Sequence, residues 1–85
     1  MNESIREIKI VCFAGLRKFF DSEIHTQINL PCTYKDLLDQ LGQERPDAVT
    51  VLKNCRVAID EAFMDTTSAL DPSKKIFLIP PSSGG

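Results

Sequence analysis

The residues able to do chemistry in this chain are few, and the most suggestive of them lie together in "IPPSSGG", residues 79–85. Ser82 and Ser83 are poor candidates for a nucleophile, because no helix follows them to form a nucleophile elbow. The group such an ending presents is the carboxylate of Gly85. A carboxylate is inert toward nucleophiles until it is activated, for example as an acyl-adenylate. Once activated, it can pass to sulfur or to an amine, and the residues alone leave both routes open. Glycine has no Cβ, so Gly84 and Gly85 can enter a narrow channel in conformations closed to other residues. Residues 81–85 span roughly 17 Å when extended, at ~3.4 Å per residue. The same residues also read as a frayed end with no role.

Elsewhere the catalytic groups do not assemble. The single histidine, His25, falls in "SEIHTQ" on the side of a strand opposite Ile24 and Ile28, which points it to solvent. Asp60 and Glu61 are consecutive in "RVAIDEAF"; read as one strand, this puts them on opposite faces, not together as an acid/base pair. The remaining glycines, Gly15 and Gly42, form no phosphate-cradling loop. Cys12, Cys32 and Cys55 are odd in number, widely spaced and without a Cys-x-x-Cys pair. That excludes a disulfide framework and a zinc site as readings and leaves three reduced, small apolar residues. No metal and no bound cofactor are expected, and a self-contained enzyme is not the reading these residues support.

Composition bounds the rest. With 85 residues, 42% apolar and 26% charged, the chain is one small domain with a single core. A net charge of −2 gives no basic footprint for nucleic acid. No apolar run approaches the ~18 residues that read as a membrane span. "MNESIREIKI" lacks a positive start leading into an apolar core, so the expectation is a cytoplasmic protein.

The elements that must position the tail follow from periodicity. "REIKIVCF" (6–13) alternates, with Ile8, Ile10 and Cys12 on one face and Lys9, Val11 and Phe13 on the other. "AGLRKFF" (14–20) reads as a helical turn. "EIHTQINL" (23–30) alternates again and pairs antiparallel with the first strand, ending at Pro31. In "TYKDLLDQLGQ" (33–43), Thr33 and Asp36 form a capping box. Tyr34, Leu37, Leu38 and Leu41 make the apolar stripe of the main helix, and Gly42 is placed to end it. "PDAVTVLKN" (46–54) is a second short helix with Pro46 near its start. "RVAIDEAF" (56–63) is a strand, "MDTTSALDPSK" is turn-rich, and "KKIFLIPP" is a last strand stopped by Pro80 and Pro81. The order excludes a doubly wound sheet. It predicts an α+β domain: a mixed sheet with one main helix across one face, and the first and last strands as central neighbours, since both are apolar on both faces.

That arrangement leaves an anomaly. Phe13, Phe77 and Ile79 fall opposite the core positions, and Phe63 stands at its strand's end. Either the register is off by one and some of them are core, or they form an exposed partner-binding patch near the tail.

The residues carry a resemblance. "IKIVCFAGLRKFF", with Phe13, Ala14 and Arg17 as Phe-Ala-x-x-Arg, and "FLIPPSSGG", an apolar strand followed by Pro-Pro, two small residues and Gly-Gly, resemble the small-subunit family of molybdopterin synthase, sulfur carriers of the ubiquitin-like β-grasp group. The likeness covers nearly the whole chain. It implies a β-grasp domain over 1–81 and a flexible Gly-Gly tail over 82–85. Three positions depart from the family's habit. Ile59-Asp60 stands where Val-Asn is frequent, "DPSKK" where an acidic Gly-Asp turn is common, and Ile79 where Phe often precedes Pro-Pro.

The resemblance implies a mechanism in which the catalytic side chains belong to other proteins. An adenylyltransferase of the ubiquitin-activating type uses ATP to adenylate Gly85. A sulfurtransferase system then converts the terminus to a thiocarboxylate. The tail, positioned by Pro80, Pro81, Ser83 and Gly84, enters the large synthase subunit within a heterotetramer. There the sulfur attacks cyclic pyranopterin monophosphate, and two transfers build the dithiolene of molybdopterin. Phe13, Phe63 and Ile79 match apolar docking positions, and Arg17 matches a polar contact to the activating enzyme. A thiamine-pathway or other sulfur carrier, and a protein modifier joined to lysines, share the activation chemistry and remain as alternatives. A plain binding module with an incidental tail is the third.

Overall fold

The computed structural model describes residues 4–81. The expected tail, 82–85, lies outside the described residues. The chain runs β1 (Ser4–Cys12), a 3-10 turn (Ala14–Lys18), β2 (Glu23–Leu30), α1 (Tyr34–Glu44), a second 3-10 turn (Pro46–Ala48), α2 (Val49–Lys53), β3 (Arg56–Ile59), β4 (Ala62–Met64) and β5 (Ile76–Ile79). One sheet takes all five strands in the order β2-β1-β5-β3-β4. β1 and β5 are parallel, and the other neighbours are antiparallel. The expected mixed sheet, with its first and last strands at the centre, is therefore what forms.

α1 begins where its sequence says it must. Thr33 Oγ1 accepts the Asp36 N–H at 3.1 Å, and Asp36 Oδ2 accepts the Thr33 N–H at 2.9 Å. This reciprocal pair satisfies two otherwise orphaned donors. Tyr34, Leu37 and Leu41 are buried against the sheet, while Leu38 is half-buried at the edge of the stripe. The facing sheet surface supplies Ile8, Ile10 and Cys12 from β1, Ile28 from β2, Val57 and Ile59 from β3, and Ile76 and Leu78 from β5. These are the alternating positions expected of β1 and β5, so the register is the expected one. Each large aliphatic side chain so buried contributes about 1.5–3 kcal/mol.

Two expectations are corrected. Gly42 does not end α1; the helix continues to Glu44 and Arg45 caps it, its N–H bonding the Leu41 carbonyl. Gly42 is instead a point of close approach to α2, since a Cβ there would lie 3.2 Å from Val49 Cγ2. The segment 56–63 is not one strand but the start of a hairpin, β3 and β4, whose two-residue turn is Asp60-Glu61. Both turn residues have positive φ, 52° and 69°, as a tight turn matching the strands' twist requires. Their side chains therefore do not alternate across a sheet.

The turn-rich 65–75 segment is organised by two aspartates. Asp65 Oδ1 accepts from the N–H and hydroxyl of Thr67 at 2.9 and 2.7 Å, and Asp71 Oδ1 accepts from those of Ser73 at the same two distances. These bonds hold both carboxyls below the usual carboxylate range. The Tyr34 hydroxyl accepts the Asp71 N–H at 3.2 Å and ties the segment to α1.

Candidate functional site

The helices cover one face of the sheet, and among the described residues no helix covers the other. Strand register builds its surface row by row. Val11 pairs with Phe77, Phe77 with Ala58, and Ala58 with Phe63, so one apolar row crosses β1, β5, β3 and β4. Beside it, Ile79 pairs with Arg56, and the N–H of Phe13 bonds the Leu78 carbonyl at 3.3 Å. The Phe13 and Phe77 rings stack with centroids 6.1 Å apart and planes 16° from parallel. Neither these rings nor Ile79 belong to the core cluster; all three are half-buried, and Phe63 is 60% exposed. Phe13, Phe63 and Ile79 thus share one apolar surface with Phe77, Val11 and Ala58.

The patch lies where β5 runs into Pro80 and Pro81. β5 stops at Ile79, because Pro80 and Pro81 lack the N–H that would extend the ladder. Pro80 is half-buried and Pro81 exposed. Ser83, Gly84 and Gly85 lie outside the described residues. Phe13 is set at the end of β1 by a sharp bend: Ala14 has φ 50°, and the chain turns at once into the 3-10 turn. Arg17 closes that bend, its Nε donating to the Cys12 carbonyl at 3.2 Å. Arg17 is not brought into the apolar patch. It lines a separate hollow of about 380 Å³ with Lys18, Phe19, Phe20, Asp21, Ile24 and Arg45.

The β1–β2 half of the open face is charged and self-paired. Lys9 Nζ lies 3.8 Å from Glu23, and His25 lies between Glu7 at 3.7 Å and Glu23 at 3.5 Å. His25 is exposed, as its strand position predicts. The patch half carries Arg56, whose guanidinium carbon stands 5.0 Å from the Phe63 ring centroid. Arg56 escapes sequence reasoning because a charged residue at the start of a strand reads as ordinary solvated surface. Phe77 and Val11 were legible from alternation once β5 and β1 were placed side by side.

The thiols are chemically quiet. Burial pushes the Cys12 thiol up to about 11 against a small opposing effect of Arg17. Burial, with Cys12 adding to it, pushes Cys55 up to about 11. Burial and then the Asp36 charge raise Cys32. All three cysteines are free. Among the described residues no group of three or more His, Cys, Asp or Glu side chains is placed to hold a metal ion, and no helix is long and apolar enough to cross a membrane.

Known proteins share this architecture. SAMP1 from Haloferax volcanii superposes with a TM-score of 0.75 at 20% identity, over 93% of this chain and 99% of that one. A chain in the complex of subunits 1 and 2 of molybdopterin-converting factor from Helicobacter pylori 26695 superposes with a TM-score of 0.63 at 21% identity, over the same shares. Both are β-grasp, ubiquitin-like proteins, and that is the fold of this chain. No curated protein sequence matches it significantly. The ThiS family profile matches residues 10–85, from late in β1 through Gly85, so the chain belongs to the ThiS family of ubiquitin-like sulfur carriers.

Proposed function

We propose that this sulfur carrier is the small subunit of a molybdopterin synthase. The observation that carries the reading is the apolar surface of Phe13, Phe77, Ile79 and Phe63 at the point where β5 hands over to Pro80-Pro81. A partner that covers this surface receives the tail at the same moment. The match to the Helicobacter pylori complex, whose two subunits are those of a molybdopterin-converting factor, supports a large-subunit partner.

The chemistry belongs to Gly85. An adenylyltransferase of the ubiquitin-activating type binds the chain, and the Gly85 carboxylate oxygen attacks the α-phosphorus of ATP, releasing pyrophosphate. Sulfide-level sulfur, delivered as hydrosulfide or its equivalent by a sulfurtransferase system, attacks the acyl carbon and displaces AMP, leaving a thiocarboxylate. Docked on the large subunit, the thiocarboxylate sulfur attacks a carbon of cyclic pyranopterin monophosphate and displaces an oxygen substituent; water then cleaves the Gly85 acyl–sulfur bond, which returns the carboxylate and leaves the sulfur on the pterin. Gly84 and Ser83 carry no bulk that would block a channel, and Pro80 and Pro81 stiffen the tail's root. Arg17 is a contact to the activating enzyme as well as the brace of the β1 bend. The chain binds no cofactor of its own, ATP being the activating enzyme's substrate, and it works in the cytoplasm.

The test is at the terminus. Deleting Gly85, or adding one residue after it, moves the reacting atom by roughly 3.4 Å, and misplacement on that scale is costly to a positioned reaction. Molybdopterin formation with purified partners should be abolished in both variants while circular dichroism stays that of the parent. Parental activity in either variant overturns the reading.

A further inference from the structure

Among the described residues two guanidinium groups stand over rings, Arg45 over Phe19 and Arg56 over Phe63, and of the two only Arg45 is also paired with a carboxylate, that of Asp47. The Cα partner of Arg56 in the sheet is Ile79, the last residue of β5, so Arg56 stands beside the root of the tail. Its guanidinium lies over Phe63, which is 60% exposed, with centroid and guanidinium carbon 5.0 Å apart. Phe13 and Phe77 stack next to it on the same face. The ion pairs among the described residues join Lys9, Lys35, Arg45 and Lys74 to carboxylates, and Arg56 to none. The open face therefore divides in two. On the β1–β2 half Glu7 and Glu23 have Lys9 or the His25 imidazole beside them; on the patch half one cation lies on an aromatic ring with no carboxylate paired to it among the described residues.

That arrangement has a physical consequence. A guanidinium stacked on a ring keeps its in-plane N–H donors free and holds them in a fixed direction. Covering the patch with a purely apolar surface would strip water from those donors and leave a charge unpaired, which opposes docking. Covering it with a surface that presents a carboxylate would complete a charge-assisted, bidentate pair within an apolar surround. We propose that Arg56, held by Phe63, is a specificity-determining residue of the docking face and selects a partner surface that offers an Asp or Glu carboxylate flanked by apolar side chains. The inference rests on the synthase reading, with the large subunit as that partner. The apolar row supplies the contact area, and Arg56 rejects surfaces that match it in shape but lack the acid.

The experiment is a titration of the full chain with the large synthase subunit of the same genome, at ~50 mM and ~300 mM salt, where screening differs. At low salt, Arg56→Gln should weaken binding about tenfold and Arg56→Glu considerably more. Arg56→Lys should recover only part of the affinity, because an ammonium neither stacks nor pairs bidentately. At high salt the gap between parent and Arg56→Gln should narrow. Glu7→Gln, on the self-paired half, should bind like the parent. If Arg56→Gln binds within twofold of the parent at both salts, Arg56 reads no carboxylate and the inference fails alone. A loss of equal size at both salts overturns it too, since loosening of Phe63 would then explain the effect without charge. A parent chain that does not bind the large subunit at either salt overturns the synthase reading and this inference with it.

Discussion

Phe63 and Val57 are six residues apart and face opposite ways, and the difference decides what each can be for. Val57 is fully buried beneath α1, whereas Phe63 on the neighbouring strand keeps 60% of its surface in water. A folded domain gains little from a phenylalanine left so exposed, and on the proposed reading its place in a row with Ala58 and Phe77 makes it part of the docking surface. Phe63→Asp and Ile79→Asp should each weaken docking on the large subunit by tenfold or more, because each places an unpaired charge in an apolar contact. The melting temperature should fall little for Phe63→Asp and somewhat more for the half-buried Ile79. A collapse of the melting temperature in Phe63→Asp, measured by circular dichroism, would show that the ring stabilises the monomer instead. At this scale much was legible: alternation alone separates Ile76 and Leu78 from Phe77 and Ile79, because a strand's period is two. Arg56 was not, because its significance lies in a ring and a strand brought beside it by tertiary structure.

Elements were legible where local chemistry agrees with the fold and obscure where tertiary packing overrides it. The Thr33–Asp36 capping box and the Leu37/Leu41 stripe specify α1 locally, and the structure follows them. Gly42 has the look of a stop signal, yet its lack of a Cβ serves the approach of Val49, a contact that appears only once α2 is folded back. The β3–β4 hairpin was missed for a related reason. Asp60-Glu61 is not the Asn-Gly or Asp-Gly pair that announces such a turn, so "RVAIDEAF" reads as one continuous strand. The turn forms regardless, with Glu61 at φ 69°, a conformation costing a side-chain-bearing residue roughly 1–2 kcal/mol. Glu61→Gly should therefore stabilise the domain by about 1 kcal/mol and raise its melting temperature by roughly 4–8 °C, the scale expected for so small a domain. An unchanged or lower melting temperature would mean that Glu61 makes compensating contacts that offset the strain.

At the scale of the whole molecule, the core holds α1 to one face of the sheet, and the apolar row stands on the other. Cys12 and Cys55, buried and with their thiols raised to about 11, remain protonated at neutral pH. Their linkage to stability has a definite sign. A thiol that ionises later in the folded chain than in the unfolded one contributes stability that is fully present below about pH 9 and is lost as pH rises toward 11. Native labelling therefore belongs near neutrality, where the fold is intact and these thiols are silent. Produced together with its activating and sulfur-supplying enzymes and treated natively with a thiol-reactive alkylating reagent, the chain should take up one fast adduct at Gly85. Cys12 and Cys55 should react only after denaturation, and fragmentation should separate Cys32 from the terminus. Intact mass alone does not serve, because replacing oxygen by sulfur adds the same nominal mass as oxidising Met1 or Met64. A Gly85 found amide-linked to lysines of other proteins, with no thiocarboxylate detectable, would replace the sulfur-donor reading with that of a protein modifier. A Gly85 thiocarboxylate that forms but does not pass its sulfur to cyclic pyranopterin monophosphate, in the presence of the large subunit, would keep the carrier and assign it a different acceptor.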